Sequence, residues 1–210
     1  PQYQVIIDYL RGAITQPDPN IAGMGLTSFA NSLKIENCIT RPGVIASLTD
    51  PEYGEISKPY TTHSIPGTIP AAYYDIGARG LSYSDSDYWN DGDGGYNDGW
   101  VFRNDGVDVE GSDDDPNIPY TVGWTEAGEW LGYTIEDVSP GTYEVSFSIS
   151  APDAGGIFFA QLSGQNLGVI DVPATGGWYN WEDLPAQTIT VSEGEKFLKI
   201  QIVQAGFNIQ

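Results

Sequence analysis

Residues 142–150 read TYEVSFSIS, and in this run Tyr143, Val145, Phe147 and Ile149 alternate with polar side chains. A period of two is the pattern of a β-strand with one face in a core and the other in water. Further strand-like runs lie at short spacing on both sides, with turn-forming residues between them. They span residues 129–135, 157–162, 168–172, 187–191 and 196–203. The pattern predicts an all-β fold, an antiparallel β-sandwich of jelly-roll type.

The distribution of basic residues predicts a boundary near residue 64. No Lys or Arg lies between Asn104 and Glu195, whereas most of the basic residues precede this segment. Prolines also concentrate between Lys58 and Gly67, as in a linker. We therefore expect a short mixed N-terminal segment over residues 1–64 and the sandwich over residues 65–210.

The N-terminal segment is too short and too polar to hold a core of its own. Apolar spacing over residues 3–10, followed by Gly12, predicts one short helix, and residues 25–39 contain strand-like positions without a clear period. The segment is interpreted as the tail of an upstream domain, a linker or an assembly arm. The chain starts at Pro1 with neither an initiator Met nor a signal peptide, as expected of a processed product or a fragment.

The charge balance excludes two classes of partner. The chain has 8 Lys and Arg against 29 Asp and Glu, a formal net charge of -21. Such a chain repels phosphate backbones and anionic lipid headgroups, so we expect neither nucleic-acid binding nor membrane attachment. The 6 Trp and 13 Tyr point instead to aromatic stacking surfaces.

The chain has one His and one Cys, which excludes a multi-histidine metal site and an internal disulfide framework. His63 falls in the predicted linker and is expected to be exposed to solvent. Cys38 is expected to be a small buried apolar residue.

Five strings that follow one another along residues 65–210 resemble family 6 carbohydrate-binding modules, the β-sandwich modules appended to secreted polysaccharide hydrolases. They are IPGTIPAAYYD (65–75), FRNDGVDVE (102–110), VGWTEAGEWLGYT (122–134), TGGWYNW (175–181) and GFNI (206–209). Because several motifs agree in order and spacing, this resemblance is more specific than a single short motif.

The resemblance implies a sugar site in a cleft formed by loops at one end of the sandwich, where two aromatic rings enclose a sugar and an Asn binds its hydroxyls. Trp178 and Phe102 stand at the positions of the two rings, and Asn208 stands at that of the amide. Since Phe has no phenol, Tyr96 or Trp100 is an alternative second ring. A pyranose presents C–H groups on its faces and hydroxyls at its rim, which suits two aromatic plates with polar groups around them.

Calcium is a second expectation, with two different grounds. The family commonly places two carboxylates near a structural calcium in its opening strand, but Pro70 and Ala72 occupy those positions here. Asp91 and Asp93 in the string DGDG have the alternate oxygen ligands and glycines of a hard-cation loop, although Phe102 stands where an EF-hand requires Glu. The alternative for this string is a solvated acidic turn.

The other tryptophans divide between core and surface. Trp124 and Trp130 are predicted to fill the interior, because large aromatic residues usually do so in sandwiches. Trp178 lies in a Gly-flanked loop and is predicted to be functional. Trp181 is compatible with either role.

The sequence predicts no catalytic activity. Glu126 and Glu129 invite a comparison with the two carboxylates of glycosidases, but neither lies in a signature hydrolase string. The leading hypothesis is a non-catalytic module that tethers a secreted enzyme, such as an upstream glycoside hydrolase domain of the same polypeptide, to polysaccharide. β-Glucan, xylan and agar-type galactans all fit as the polysaccharide or oligosaccharide ligand.

The alternative hypothesis is structural. An exposed sheet edge could accept a strand from the N-terminal segment of a neighbouring copy. The protein would then self-assemble as the subunit of an extracellular filament or surface layer.

Overall fold

The computed structural model describes residues 2–34, 36, 38, 40–86, 102–103, 105–112 and 116–210. It divides the chain into two compact units, Pro1–Thr40 and Arg41–Gln210. The division therefore lies at residue 40 and not near residue 64. In the described ranges no helix is long and apolar enough to span a membrane.

The first unit is helical. Helix α1 spans Gln4–Leu10, as predicted, and α2 spans Pro19–Ser32. Asp18 caps α2 by accepting a hydrogen bond from the main-chain N–H of Asn20, and Pro19 suits the first helical turn. Residues 25–32 of the stretch that showed no clear period thus belong to a helix, and the strand-like positions that the sequence offered lie beyond its end. Cys38 is exposed, so the prediction of a buried thiol was wrong.

Residues 41–64 belong to the second unit because their main chain pairs with the sandwich. Helix α3 spans Pro42–Thr49. Beyond it, Lys58 exchanges two main-chain hydrogen bonds with Ile76, of 3.0 and 2.7 Å. The Ser57 hydroxyl donates to the buried carboxylate of Asp75 at 2.8 Å. These contacts carry no strong hydrophobic pattern, which is why the sequence placed the boundary too late.

The second unit contains fourteen strands and one 3-10 helix, Ala71–Tyr73, in the part of the chain that the structure describes. The strands are β1 (Ser64–Ile65), β2 (Tyr83–Ser84), β3 (Val109–Gly111), β4 (Tyr120–Val122), β5 (Trp130–Ile135), β6 (Asp137–Val138), β7 (Gly141–Val145), β8 (Ser148–Ala151), β9 (Gly156–Leu162), β10 (Gln165–Val172), β11 (Gly177–Asp183), β12 (Gln187–Val191), β13 (Lys196–Gln204) and β14 (Asn208–Ile209).

Two five-stranded sheets form the sandwich. One has the order β10-β9-β13-β5-β2 and the other β11-β8-β14-β4-β3, and all their pairs are antiparallel. Between consecutive strands the chain crosses from one large sheet to the other after β2, β4, β8, β10 and β13, which is the connectivity of a jelly roll. Two small ladders, antiparallel β7–β12 and parallel β1–β6, complete the fold. The predicted fold class is confirmed.

The run at residues 142–150 forms two strands, not one. Strand β7 pairs with β12, whereas β8 joins the second large sheet, and the chain changes partner at Ser146 and Phe147. The alternation of side chains nevertheless continues through the break, because Phe147 and Ile149 both face the core.

The core lies between the two large sheets. Phe158 of β9 packs edge-to-face on Phe147 at 5.0 Å between ring centroids, and against Phe207 at 5.6 Å. Ile149 and Ile209 complete the second sheet's contribution, and both are buried. Alternate residues on those strands, such as Ser150 and Asn208, therefore point to the outer face of that sheet.

The buried guanidinium of Arg103 joins the segment that precedes β3 to the main chain that follows the 3-10 helix. Arg103 lies 3.7 Å above the centroid of the Tyr74 ring and donates to the main-chain oxygens of Tyr74 and Asp75. Its Nε pairs with the Asp105 carboxylate at 3.2 Å. Removing the guanidinium takes the donor from two main-chain oxygens of buried residues and the cation from the Asp105 carboxylate, which keeps the hydrogen bond from the Tyr74 hydroxyl.

We expect Arg103→Ala to lower the free energy of unfolding of this unit by about 3–5 kcal/mol, the range for breaking a buried ion pair. Chemical denaturation followed by near-ultraviolet circular dichroism measures the change. The matched control is Arg79→Ala, because Arg79 is exposed and its side chain donates a long hydrogen bond, of 3.3 Å, to the main-chain oxygen of Ser86. That variant should stay within about 0.5 kcal/mol of the parent, and equal losses in both would contradict the role assigned to Arg103.

Candidate functional site

The candidate site depends on a bulge in the edge strand β11. This strand pairs with β8 at Gly177, Glu182 and Asp183, and the register shifts between the first two. Residues 178–181 therefore leave the regular ladder. The main-chain oxygen of Trp178 accepts hydrogen bonds from Ser150 Oγ at 2.5 Å and Asn208 Nδ2 at 3.0 Å. The bulged segment thus lies over the outer face of the sheet.

Two tryptophans line a cleft of about 400 Å³ beside this segment. Trp178 is 46% exposed and Trp124 is 41% exposed. The cleft is completed by Ser86, Asp108, Thr125, Glu126, Ala205, Gly206 and Phe207. It lies where the chain passes from β4 to β5 and from β13 to β14, at one end of the sandwich.

Trp124 was predicted to fill the core, and this prediction was wrong. Its φ of 45° places it in the left-handed region, which reverses the chain after Gly123 and turns the indole outward. The signal in the sequence was its position, directly after a strand and before the Thr125–Gly128 turn, where loop residues carry function more often than packing.

Asn208 supports the cleft from below. It is 3% exposed, and its amide nitrogen donates to Trp178. A Cβ added at Gly123 would lie 2.7 Å from Asn208 Oδ1, so the main chain of the Trp124 loop passes close to this amide. Asn208 therefore holds the Trp178 segment and lies close to the main chain that precedes Trp124.

Phe102, predicted as the second ring, does not line this cleft. It stacks on Tyr120 at 4.1 Å and on Tyr73 at 5.5 Å between centroids, and is half-buried. Its main-chain oxygen accepts a hydrogen bond from Arg41. The structure thus packs Phe102 against aromatic neighbours, and it is Trp124 that lines the cleft together with Trp178.

The alternative rings Tyr96 and Trp100 lie outside the described residues, as do the proposed calcium ligands Asp91 and Asp93. The positions of the family's calcium carboxylates hold Pro70 and the fully buried Ala72, neither of which has a ligand oxygen on its side chain. The residues present do not fit that calcium site. No group of three His, Cys, Asp or Glu able to hold a metal occurs in the part of the chain that the structure describes.

Two carboxylates fix one wall of the cleft. Glu129 accepts hydrogen bonds from the main-chain N–H of Ser86 at 2.9 Å and of Glu126 at 2.7 Å. Glu126 in turn accepts from the Ser86 hydroxyl at 2.7 Å. Both carboxylates therefore have a structural task in holding the Ser86 and Trp124 loops together.

A hydrogen bond crosses the outer face of the same sheet. Tyr179 Oη donates to Glu110 Oε2 at 3.0 Å, and Glu110 lies on β3, at the opposite edge from β11. Partial burial raises the pKa of the Glu110 carboxyl, and the Tyr179 hydroxyl opposes this effect by stabilising the charged form.

Three further residues with a predicted environment or role lie outside the cleft. His63, expected to be exposed, is buried against Tyr133, and its Nε2 lies 3.0 Å from the main-chain oxygen of Tyr73. Trp130, expected in the core, is half-buried, with the Lys199 ammonium 4.4 Å from its ring centroid. Trp181 lies half-buried within β11.

A second cavity, of about 500 Å³, lies beside Gln210. Core and edge side chains of both sheets line it, including Ile118, Tyr143, Val145 and Phe147. It has no pair of exposed indoles, so the cleft between Trp124 and Trp178 is the stronger candidate for ligand binding.

The sequence profile described as carbohydrate binding module (family 35) matches residues 103–210, just over half of the chain. The chain therefore belongs to this family. The prediction of a carbohydrate-binding module is confirmed.

Individual relatives match smaller parts. The clotting factor G alpha subunit of Tachypleus tridentatus is 34% identical over 85 residues, which are 39% of this chain and only 12% of that subunit. The C-terminal family 6 module of LamC, a marine laminarinase from Zobellia galactanivorans, is 31% identical with a TM-score of 0.44, and the match covers 50% of this chain and 83% of that one. A family 6 module from Cellvibrio mixtus lichenase 5A, solved with cellotriose, is 28% identical with a TM-score of 0.43 over 50% of this chain and 82% of that one.

We expect Asn208→Ala to loosen the bulged segment, because one of the two donors to the Trp178 carbonyl is lost from a buried position. Hydrogen exchange measured by mass spectrometry should be faster in peptides covering residues 175–183 while core strand β9 keeps its protection. Asn166→Ala is the control, since its exposed amide oxygen accepts a hydrogen bond from the neighbouring main chain of Gly168, at the irregularity near the start of β10. Unchanged exchange over 175–183 would show that Asn208 does not position Trp178.

Proposed function

We propose that this protein binds a glycan chain in the cleft between Trp124 and Trp178 by aromatic stacking. The observation that carries the proposal is the exposure of these two indoles on one cleft, although burying them would stabilise the fold. Sugar C–H faces are a suitable partner, because they bury the rings while sugar hydroxyls stay at the wet rim.

The polar residues of the cleft suit the rim of a sugar. Asp108 and Glu126 line the same cleft as the rings. Carboxylate oxygens accept hydrogen bonds from hydroxyls, and such charge-assisted bonds are the stronger kind. Each stacked ring contributes about 1 kcal/mol beyond area burial. Together with the buried area and the hydrogen bonds at the rim, we expect a single-site Kd from roughly micromolar to millimolar, about 4–8 kcal/mol in total.

Weak single-site binding suits a tethering role. We propose that the module holds a secreted enzyme, such as a glycoside hydrolase domain in the same polypeptide, on polysaccharide outside the cell. Tethering raises the local substrate concentration without lowering a chemical barrier, so the module itself needs no catalytic group. Calcium at Asp91 and Asp93 stays a proposal, and binding assays should be run with and without calcium.

We expect Trp178→Ala to abolish measurable binding and Trp124→Ala to weaken it at least tenfold, since each removes one stacking surface and its buried area. Titration calorimetry against soluble β-glucan, xylan and agar oligosaccharides measures the affinity. The control is Tyr9→Ala, which removes an equally exposed ring from the helical unit. If Trp178→Ala keeps the parent affinity while circular dichroism shows an intact fold, the assignment of the cleft is wrong.

A second candidate function is self-assembly by strand addition. The observation that favours it is the cavity of about 500 Å³ beside the two-residue strand β14, between β4 and β8. An extended segment of a second copy lying there would cover Tyr143, Val145 and Phe147 and continue the sheet. The protein would then serve as a subunit of an extracellular filament or layer.

Size-exclusion chromatography with light scattering tests this candidate. Self-assembly predicts a mass that rises with concentration, and Val145→Lys should return the protein to a monomer because a charge in the cavity opposes an apolar strand. Val203→Lys is the control, as Val203 is exposed on β13. A monomer at every concentration up to about 1 mM would eliminate strand addition as the function, given the affinities of weak transient interfaces.

A further inference from the structure

We infer that the glycan site extends beyond the two-indole cleft, along the outer face of the second sheet, to a further subsite formed by Tyr179 and Glu110. This inference rests on the proposed function. It also names the class of ligand, an uncharged oligosaccharide or polysaccharide chain rather than a single sugar or an acidic glycan.

The first support is the path of strand β3. Val109 is fully buried, so Asp108 and Glu110 on either side of it share the outer face. Asp108 lines the cleft, and Glu110 lies about 7 Å further along the strand, at the usual rise of two residues. A chain that stacks in the cleft and continues along β3 therefore passes Glu110 next.

The second support is the bulged segment of β11. The edge strands β11 and β3 of a five-stranded sheet lie four strand spacings apart, about 19 Å in a flat sheet. A direct hydrogen bond between Tyr179 and Glu110 is possible only because residues 178–181 leave the ladder and lie across the sheet. The segment thus presents Trp178 and Tyr179 side by side, and Tyr179 is 55% exposed.

The third support is the hydrogen-bonding capacity of Glu110. Tyr179 occupies Oε2, and Oε1 accepts no hydrogen bond from any residue that the structure describes. The carboxyl is partly buried, and its pKa is raised by the loss of water. Sugar hydroxyls would supply donors to this half-desolvated group, while the exposed part of the Tyr179 ring contacts a sugar face.

The charge of this surface selects the ligand. Asp108, Glu110 and Glu126 all line the cleft or its extension, and none of the described residues lining the cleft is Lys or Arg. Uronic acid carboxylates or sulfate esters would face these groups across a short distance, where repulsion between like charges is strongest. Neutral sugars avoid this cost.

The experiment compares ligand length. Titration calorimetry should be carried out with three series of oligosaccharides, β-1,3-linked glucose, β-1,4-linked glucose and xylose. Each series should contain chains of two, four and six sugars. For the parent we expect affinity to rise with length. Glu110→Gln and Tyr179→Ala should each lower the affinity for the hexamers by about five- to tenfold, the effect of one or two partly exposed hydrogen bonds and a contact. Their affinity for the dimers should be unchanged.

Glu195→Gln is the matched control. It removes the same charge from an exposed turn at the other end of β13 from Ala205 and Gly206, which line the cleft. Near-ultraviolet circular dichroism shows whether each variant is folded. Because Gln has the same shape as Glu, Glu110→Gln should leave the packing of the sheet intact even if Tyr179→Ala disturbs it.

The outcomes separate the two proposals. If Glu110→Gln and Tyr179→Ala bind both the disaccharides and the hexasaccharides with the parent affinity, the extended site is wrong while the two-indole cleft stands. The absence of any binding by the parent, to these oligosaccharides and to the matching insoluble polysaccharides, would overturn the proposed function together with the extension. Tighter binding of an oligogalacturonide hexamer than of the neutral hexamers would contradict the assignment to uncharged glycans.

Discussion

The main-chain oxygen of Trp178 accepts hydrogen bonds from Ser150 and Asn208, and the position of the bulged segment at residues 178–181 depends on this contact. Both donors are buried on the outer side of the sheet. Buried polar groups without partners cost free energy, so the two strands require an acceptor above them. The bulge in β11 supplies that acceptor. In doing so it holds Trp178 and Tyr179 over the sheet, at positions that a regular strand would not reach.

Part of the protein's negative charge is carried by carboxylates in and beside the cleft. Glu129 accepts hydrogen bonds from the main-chain N–H groups of Ser86 and Glu126, and the Glu126 carboxylate accepts one from the Ser86 hydroxyl. Part of the negative charge therefore stabilises these loops. Asp108 and Glu110 instead face the surface along β3. A surface with exposed indoles and carboxylates interacts poorly with anions but suits neutral, hydroxyl-rich ligands, because stacking and hydrogen bonding replace ion pairing. A net charge of -21 favours repulsion between copies, which opposes association through exposed aromatic rings.

Periodicity in the sequence predicted the sheets and their buried faces, but not the places where the backbone departs from a regular path. The alternation at residues 142–150 correctly identified Phe147 and Ile149 as core, yet it cannot reveal a change of partner strand, since both strands keep the same period. Trp124 was misassigned because its left-handed backbone exposes an indole that composition alone assigns to the interior. Phe102 occupies a ring position by motif, but three neighbouring aromatic rings were available to pack it. Such choices depend on contacts between distant residues, which a single sequence does not display.

The position of the bulge at a sheet edge has a physical reason. Among the described strands, β11 has one neighbour, β8, so leaving the ladder over residues 178–181 breaks hydrogen bonds on that side only. The same departure in a central strand would leave two neighbours unpaired. The bulge also removes a flat edge that could pair with another chain. A single irregularity thus protects the edge, satisfies Ser150 and Asn208, and exposes the rings, while the hydrophobic core between the sheets supplies the stability that exposed aromatic residues do not provide.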